Sequence, residues 1–108
     1  GSDPHAAAES VALITRKDSG LLGWDMLPGK TVGVLGGTVA HKHLTDHHPD
    51  ANVLSNPDVA NVFKLVNDRR MDATVQDSPA AVHYLKEYPD LTLAGEPVKA
   101  GYYVLYFR

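Results

Sequence analysis

Apolar positions along the chain follow two rhythms. Short β-branched runs predict strands at Ser10–Arg16 (Ser-Val-Ala-Leu-Ile-Thr-Arg), Thr31–Leu35, 52–54, 72–76, Leu91–Leu93 and 102–107. Between them lie helical patterns. One runs from Thr38 to His47 and is stopped by Pro49. The next opens at Asn56-Pro57, read as cap and first helical residue, and places Val59, Val62, Phe63 and Val66 at the spacing of one buried face. A third opens at Ser78-Pro79 by the same device, buries Ala81, Val82, Leu85 and Tyr88, and ends at Pro89. The connection 17–30 holds three glycines and a proline, with a short helix expected near 21–26. Strands alternating with helices predict an α/β three-layer sandwich around a central, mostly parallel five-stranded sheet. The first and last strands are free to run against the others. Thr31–Leu35 has so few polar residues that it is expected to be buried on both faces.

Two strand ends carry the candidate chemistry. Gly33-Val-Leu-Gly-Gly-Thr38 empties into a helix start, and so does Asp72-Ala-Thr-Val-Gln-Asp-Ser-Pro79. Ligands of open α/β sheets gather outside the carboxyl ends of the strands, where helix N-termini offer N–H groups. The first end, with Gly37, Thr38 and Val39, offers amides and a hydroxyl to an anion. The second offers the Asp77 carboxylate to a cation, on the premise that Ser78 is the helix cap and leaves Asp77 to face the cleft. Gln76 stands beside it but is expected to point the other way. Both signs on neighbouring strand ends suit a small zwitterion, and an amino acid is the simplest. The structural alternative is a tight turn with a threonine cap at Gly36-Gly37-Thr38, and at Asp77 a carboxylate that only supports the helix dipole. The glycine spacing is neither the dinucleotide fingerprint nor a Walker loop, so no nucleotide cofactor is called for.

Composition narrows the field further. The 108 residues suffice for one domain, and Gly1-Ser2 reads as a cloning scar with residues 3–9 as a flexible lead-in. A formal charge of −3 without a basic stripe argues against nucleic acid, and no apolar run reaches the length of a membrane span. With no cysteine there is no disulfide, zinc-thiolate site or thiol nucleophile. His41, His43, His47 and His48 crowd one helix, and the i, i+4 pair His43/His47 invites a metal. No well-placed carboxylate or thiolate completes a ligand set, so a solvated helix face is the simpler reading, with no metal. Trp24 is expected to plug the long connection onto the sheet, and Arg69-Arg70 to be a solvated charge pair.

The order of motifs is specific when taken together. Leu27-Pro-Gly-Lys-Thr-Val-Gly-Val-Leu-Gly-Gly-Thr38, then Asp72-Ala-Thr-Val-Gln-Asp-Ser-Pro79, then Gly101-Tyr-Tyr-Val-Leu-Tyr-Phe-Arg108 resembles the second lobe of type II periplasmic binding proteins of the polar amino-acid family. These are the extracellular solute-binding proteins, family 3, of ABC importers. The resemblance runs from Ser10 to Arg108. It implies one lobe (10–108) of a two-lobed, non-enzymatic receptor that lies outside the cytoplasm and works with ABC permease subunits. Strand Ser10–Arg16 and strand 102–108 would be the two crossovers to an absent second lobe. It also implies that Gly37, Thr38 and the amides after them hold a ligand carboxylate, and that Asp77 holds the ammonium. Val39 departs from the hydroxyl residue or glycine common in the family, and Leu35 from a polar contact found in some members. A side-chain preference unlike that of basic amino-acid or glutamine receptors is therefore expected. The resemblance leaves two further parents open: an enzyme on the same fold, similar to cyclohexadienyl dehydratase, and the sensor of a membrane signalling protein. A lobe without its partner would expose hinge strands, which favours a homodimer through them.

Overall fold

The computed structural model describes residues 10–99; the lead-in 1–9 and the expected last strand 102–107 lie outside them. Six strands form one sheet: β1 (Ser10–Arg16), β2 (Thr31–Leu35), β3 (Asn52–Asn56), β4 (Ala73–Asp77), β5 (Leu91–Leu93) and β6 (Val98–Lys99). The strand order is β3-β2-β4-β1-β5, with the short β6 also paired to β1. β3 and β4 run parallel to β2, whereas β4, β5 and β6 all run antiparallel to β1. Every strand except β1 thus points the same way, so the expected mostly parallel sheet is present. Its exception sits inside the sheet rather than at an edge.

Central strands with no polar face require a layer on each side. Val11, Leu13, Val32, Val34, Ala73 and Val75 pack on one face against Ala40 and Leu44 of α1 (Val39–His47) and against Leu21 and Leu27 of the connection. Ala12 and Ile14 pack on the other against Phe63 and Val66 of α2 (Val59–Asn67) and Ala81 of α3 (Ser78–Glu87). β2 is buried at Val32, Gly33 and Val34. Gly33 is fixed by packing: a Cβ there would overlap Met71 Sδ and stand 3.1 Å from Val62 Cγ1. The missing side chain lets α2 lie close on the sheet.

Several local expectations are corrected by the caps. Asn56 does not cap α2. It ends β3, and its Oδ1 accepts from the N–H of Asp58 at 2.9 Å, while Asp58 caps the helix through the Ala60 N–H at 3.0 Å. An asparagine two residues before the cap can turn the chain without starting the helix. β4 begins at Ala73, one residue later than expected, because Asp72 turns its carboxylate to the Thr31 N–H at 2.8 Å. Val82 is 58 % exposed; the buried stripe of α3 passes instead through Ala81, Tyr84, Leu85 and Tyr88. Arg69 is not simply solvated: it takes a left-handed φ of 67° and reaches Asp18 at 2.6 Å. The connection holds one 3-10 turn, Trp24–Met26, and Trp24 does plug it down, packing on the core with its Nε1 donating to the Glu96 carbonyl at 2.9 Å.

Replacing Gly33 by alanine forces Met71 and Val62 to give way, at an expected cost of about 1–3 kcal/mol, the usual range for overpacking. Denaturant unfolding followed by the emission of Trp24, the one tryptophan of the chain, measures it. An unchanged midpoint would show that Met71 moves aside freely.

Candidate functional site

β2 sends its chain into α1 on one face of the sheet, and β4 sends its chain into α3 on the other. The carboxyl ends of these neighbouring strands are therefore the topological switch point, where α/β sheets open a crevice. β2 and β4 pair at Val32↔Ala73 and Gly33↔Thr74, short of those ends. Beyond the pairing lies a depression of about 310 Å³ lined by Leu35, Gly37, Thr38, Val39, Ala40, Gln76 and Asp77. All five residues singled out in the sequence, Gly37, Thr38, Val39, Gln76 and Asp77, are brought together there. Leu35 and Ala40 are additions.

The turn between β2 and α1 is built from a closed set of hydrogen bonds. Thr38 caps α1: its Oγ1 accepts from the His41 N–H at 3.2 Å and donates to the Leu35 carbonyl at 2.7 Å. The hydroxyl proton is thus used inside the turn. Gly37 takes a φ of +79°, which glycine adopts without strain. Its N–H donates to Nδ1 of His41 at 3.2 Å. The first N–H groups of α1, those of Val39 and Ala40, have no acceptor within the helix and carry the positive end of its dipole.

At the other strand end the cap differs from expectation. Asp77, not Ser78, caps α3: Oδ1 accepts from the Ala80 N–H at 2.9 Å, and Pro79 sits in the first turn. Ser78 Oγ donates to the Ser10 carbonyl at 3.3 Å. Asp77 is nonetheless exposed, and its Oδ2 has no hydrogen-bond partner among the described residues. One oxygen holds the helix while the other remains at the depression. Gln76 faces away from Asp77 along the strand as alternation requires, yet it lines the same depression because it lies at the strand's end. It is 4 % exposed, and its Nε2 donates to Thr74 Oγ1 at 3.0 Å, which fixes the carboxamide.

The histidines group around Trp24. Its ring stacks on His48 at 5.5 Å between centroids and meets the edge of His43 at 5.5 Å, and His43 lies 4.6 Å from His47. No trio of His, Cys, Asp or Glu among the described residues has the geometry to hold a metal. Burial, then the neighbouring imidazoles His47 and His48, lower the pKa of His43; burial and then His47 lower that of His48. His41 is the residue that sequence reasoning left among the polar histidines. Its spacing of four from Gly37 is the only hint in the sequence, and the bond itself shows only in the folded turn.

No family model matches the chain. ABC transporter arginine-binding protein 1 of Escherichia coli K12 is 32 % identical over 89 residues, which is 82 % of this chain and 36 % of that protein. Among solved structures, domain 2 of TmArgBP superposes with a TM-score of 0.73 at 27 % identity, covering 80 % of this chain and 95 % of that one. The GluR0 ligand-binding core from Nostoc punctiforme, in complex with L-glutamate, gives a TM-score of 0.75 at 26 % identity over 85 % of this chain and 42 % of that one. The fold is therefore that of one lobe of a type II periplasmic binding protein. Within that class the chain belongs with the polar amino-acid solute-binding proteins, family 3. It spans about a third of the length of the curated relatives it matches, 36 % and 30 %.

Two measurements check this geometry. Asp77→Ala is expected to cost about 1 kcal/mol of stability through the lost cap, and Asp77→Asn close to none, since asparagine caps equally well. Equal stability of both variants in denaturant melts would refute the cap. Because folding lowers the pKa of His43 and His48, the unfolded chain binds protons first as the pH falls. Stability present above the ordinary imidazole value of about 6.5 is therefore lost as the pH drops through the lower folded values. His43→Gln should flatten that part of the profile, and a variant with the wild-type acid limb would show that His43 is not its source.

Proposed function

We propose that this lobe binds the α-amino and α-carboxylate groups of a polar amino acid, as part of an importer's solute receptor. The single observation that carries the reading is the juxtaposition, in one depression, of the α1 amides after Thr38 with the Asp77 carboxylate and the Gln76 carboxamide. The N–H groups of Val39 and Ala40 receive the solute carboxylate at the positive end of the helix dipole. Asp77 Oδ2 receives the ammonium while Oδ1 stays on the Ala80 N–H, so the charge is held in place by the helix it caps. Gln76 supplies a second acceptor whose orientation Thr74 sets. Val39 and Leu35 give the depression an apolar rim, which removes side-chain hydroxyl contacts there.

The curated relatives are named as arginine-binding proteins of ABC transporters, which makes L-arginine the first solute to test. These relatives are binding proteins, and the non-enzymatic reading is preferred because Asp77 is the one carboxylate lining the depression among the described residues. A general acid would already be engaged as a helix cap. In the parent, a second lobe would close over the solute by a hinge motion and complete its shell, outside the cytoplasm and against ABC permease subunits. Residues 10–108 are the lobe proposed here, with Ser10–Arg16 as one of its crossovers. A homodimer through exposed hinge strands is part of the same proposal for the lobe on its own.

An amide NMR titration with L-arginine, L-glutamine and L-glutamate tests the reading. Shifts confined to residues 37–40 and 76–78 are expected; L-arginine strongest would follow the curated relatives, and another solute strongest would follow the apolar Leu35 and Val39. Asp77→Asn keeps the cap but removes the charge, and should weaken binding about tenfold or more, the worth of a charge-assisted hydrogen bond. Shifts elsewhere, or none at millimolar solute, would overturn it.

A further inference from the structure

Resting on that reading, we infer that His41 is a positioning residue for the solute's carboxylate: its imidazole holds the Gly36-Gly37-Thr38 turn in the shape that presents the α1 amides. Apart from the Gly36 N–H, which donates to the Asn56 carbonyl at 3.4 Å, the turn has little else to hold it. Gly36 and Gly37 are exposed, and a Cβ on Gly37 would meet nothing within 4 Å. Two hydrogen bonds from His41 replace the packing that glycines cannot provide. Its main-chain N–H donates to Thr38 Oγ1 at 3.2 Å, and its Nδ1 accepts the Gly37 N–H at 3.2 Å. Thr38 in turn donates to the Leu35 carbonyl at 2.7 Å, so the end of β2, the two glycines and the first turn of α1 form one loop of bonds. An accepting Nδ1 places the ring proton on Nε2.

His41 acts from outside the solute site. It lies in a second depression of about 370 Å³, lined by Gly37, Thr38, Val39, Lys42, Thr45 and Asp46 as well as itself. Gly37, Thr38 and Val39 belong to both depressions, whereas His41 does not line the inner one. The charged groups of the outer depression, Lys42 and Asp46, pair with each other at 3.0 Å. The ring thus reaches the solute through the main chain it fixes. It also occupies the Gly37 N–H, which leaves Val39 and Ala40 as the carboxylate donors.

The test compares His41→Ala with His41→Asn in the same chain, with L-arginine as the probe in amide NMR titrations. Asparagine sets an acceptor, Oδ1, at the same number of bonds from the main chain as Nδ1, and alanine sets none. Wild-type chain is titrated first. If it shows no shift with L-arginine, the binding reading falls and this inference with it. If it binds, alanine is expected to weaken binding about fivefold, one neutral hydrogen bond's worth, and asparagine to stay within about twofold. The Gly37 amide proton should move upfield in the alanine variant and keep its place in the asparagine one. Alanine binding as wild type does, or asparagine binding as poorly as alanine with its melt unchanged, would overturn the role of His41 and leave the binding reading standing.

Discussion

The constraint from which the rest follows is that the middle of the sheet is apolar on both faces. Val11, Leu13, Val32, Val34 and Val75 need one cover and Ala12, Ile14 and the close-packed Gly33 need another. Helices must therefore lie on both sides: α1 takes one face, and α2 and α3 take the other. Once α1 and α3 leave on opposite faces, the ends of β2 and β4 cannot both be covered. The few buried polar side chains along these strands, Thr15, Thr74 and Gln76, make hydrogen bonds there, and the charged ones stand at the strand ends. The crevice is what the packing leaves over.

At those ends, residues serve structure and the proposed recognition together. Thr38 spends its hydroxyl on holding β2 to α1, which turns the role of donor over to the amides behind it. Asp77 divides its two oxygens between a helix and the depression. Such sharing keeps the charged group rigid: a carboxylate pinned by a cap loses little freedom when it takes a ligand.

How much of this was legible in the sequence depended on the range of the interaction that decides it. β1, β2 and β5 are bounded as their β-branched runs predict, because a buried strand needs little more than its own side chains. The caps were misassigned because Asn-Pro-Asp and Asp-Ser-Pro each offer two competent residues, and tertiary contacts choose: Ser78 is drawn to the Ser10 carbonyl, which leaves Asp77 as the cap. Val82 fits the helical stripe on paper, but the side that packs on the sheet runs through Ala81, Tyr84, Leu85 and Tyr88. That Gly37, Thr38, Val39, Gln76 and Asp77 are neighbours was legible because strand-end position is set by topology. The Gly37–His41 bond has no composition signal and could only be seen once the turn was built.

The place of β1 has a consequence for the order of assembly. It precedes the other described strands in the chain, yet it pairs with neither of the two that follow it, β2 and β3. Its partners are β4, where Val11 meets Asp77, and β5, where Ile14 meets Leu93. Until the chain has grown past Asp77, β1 has no partner strand, and until it has passed Leu93 the other edge of β1 lacks β5. Closing loops of that length is slow and comes late. A growing chain therefore carries this apolar strand unpaired until β4 has been made, and it is the strand that must be kept from wrong contacts in the meantime.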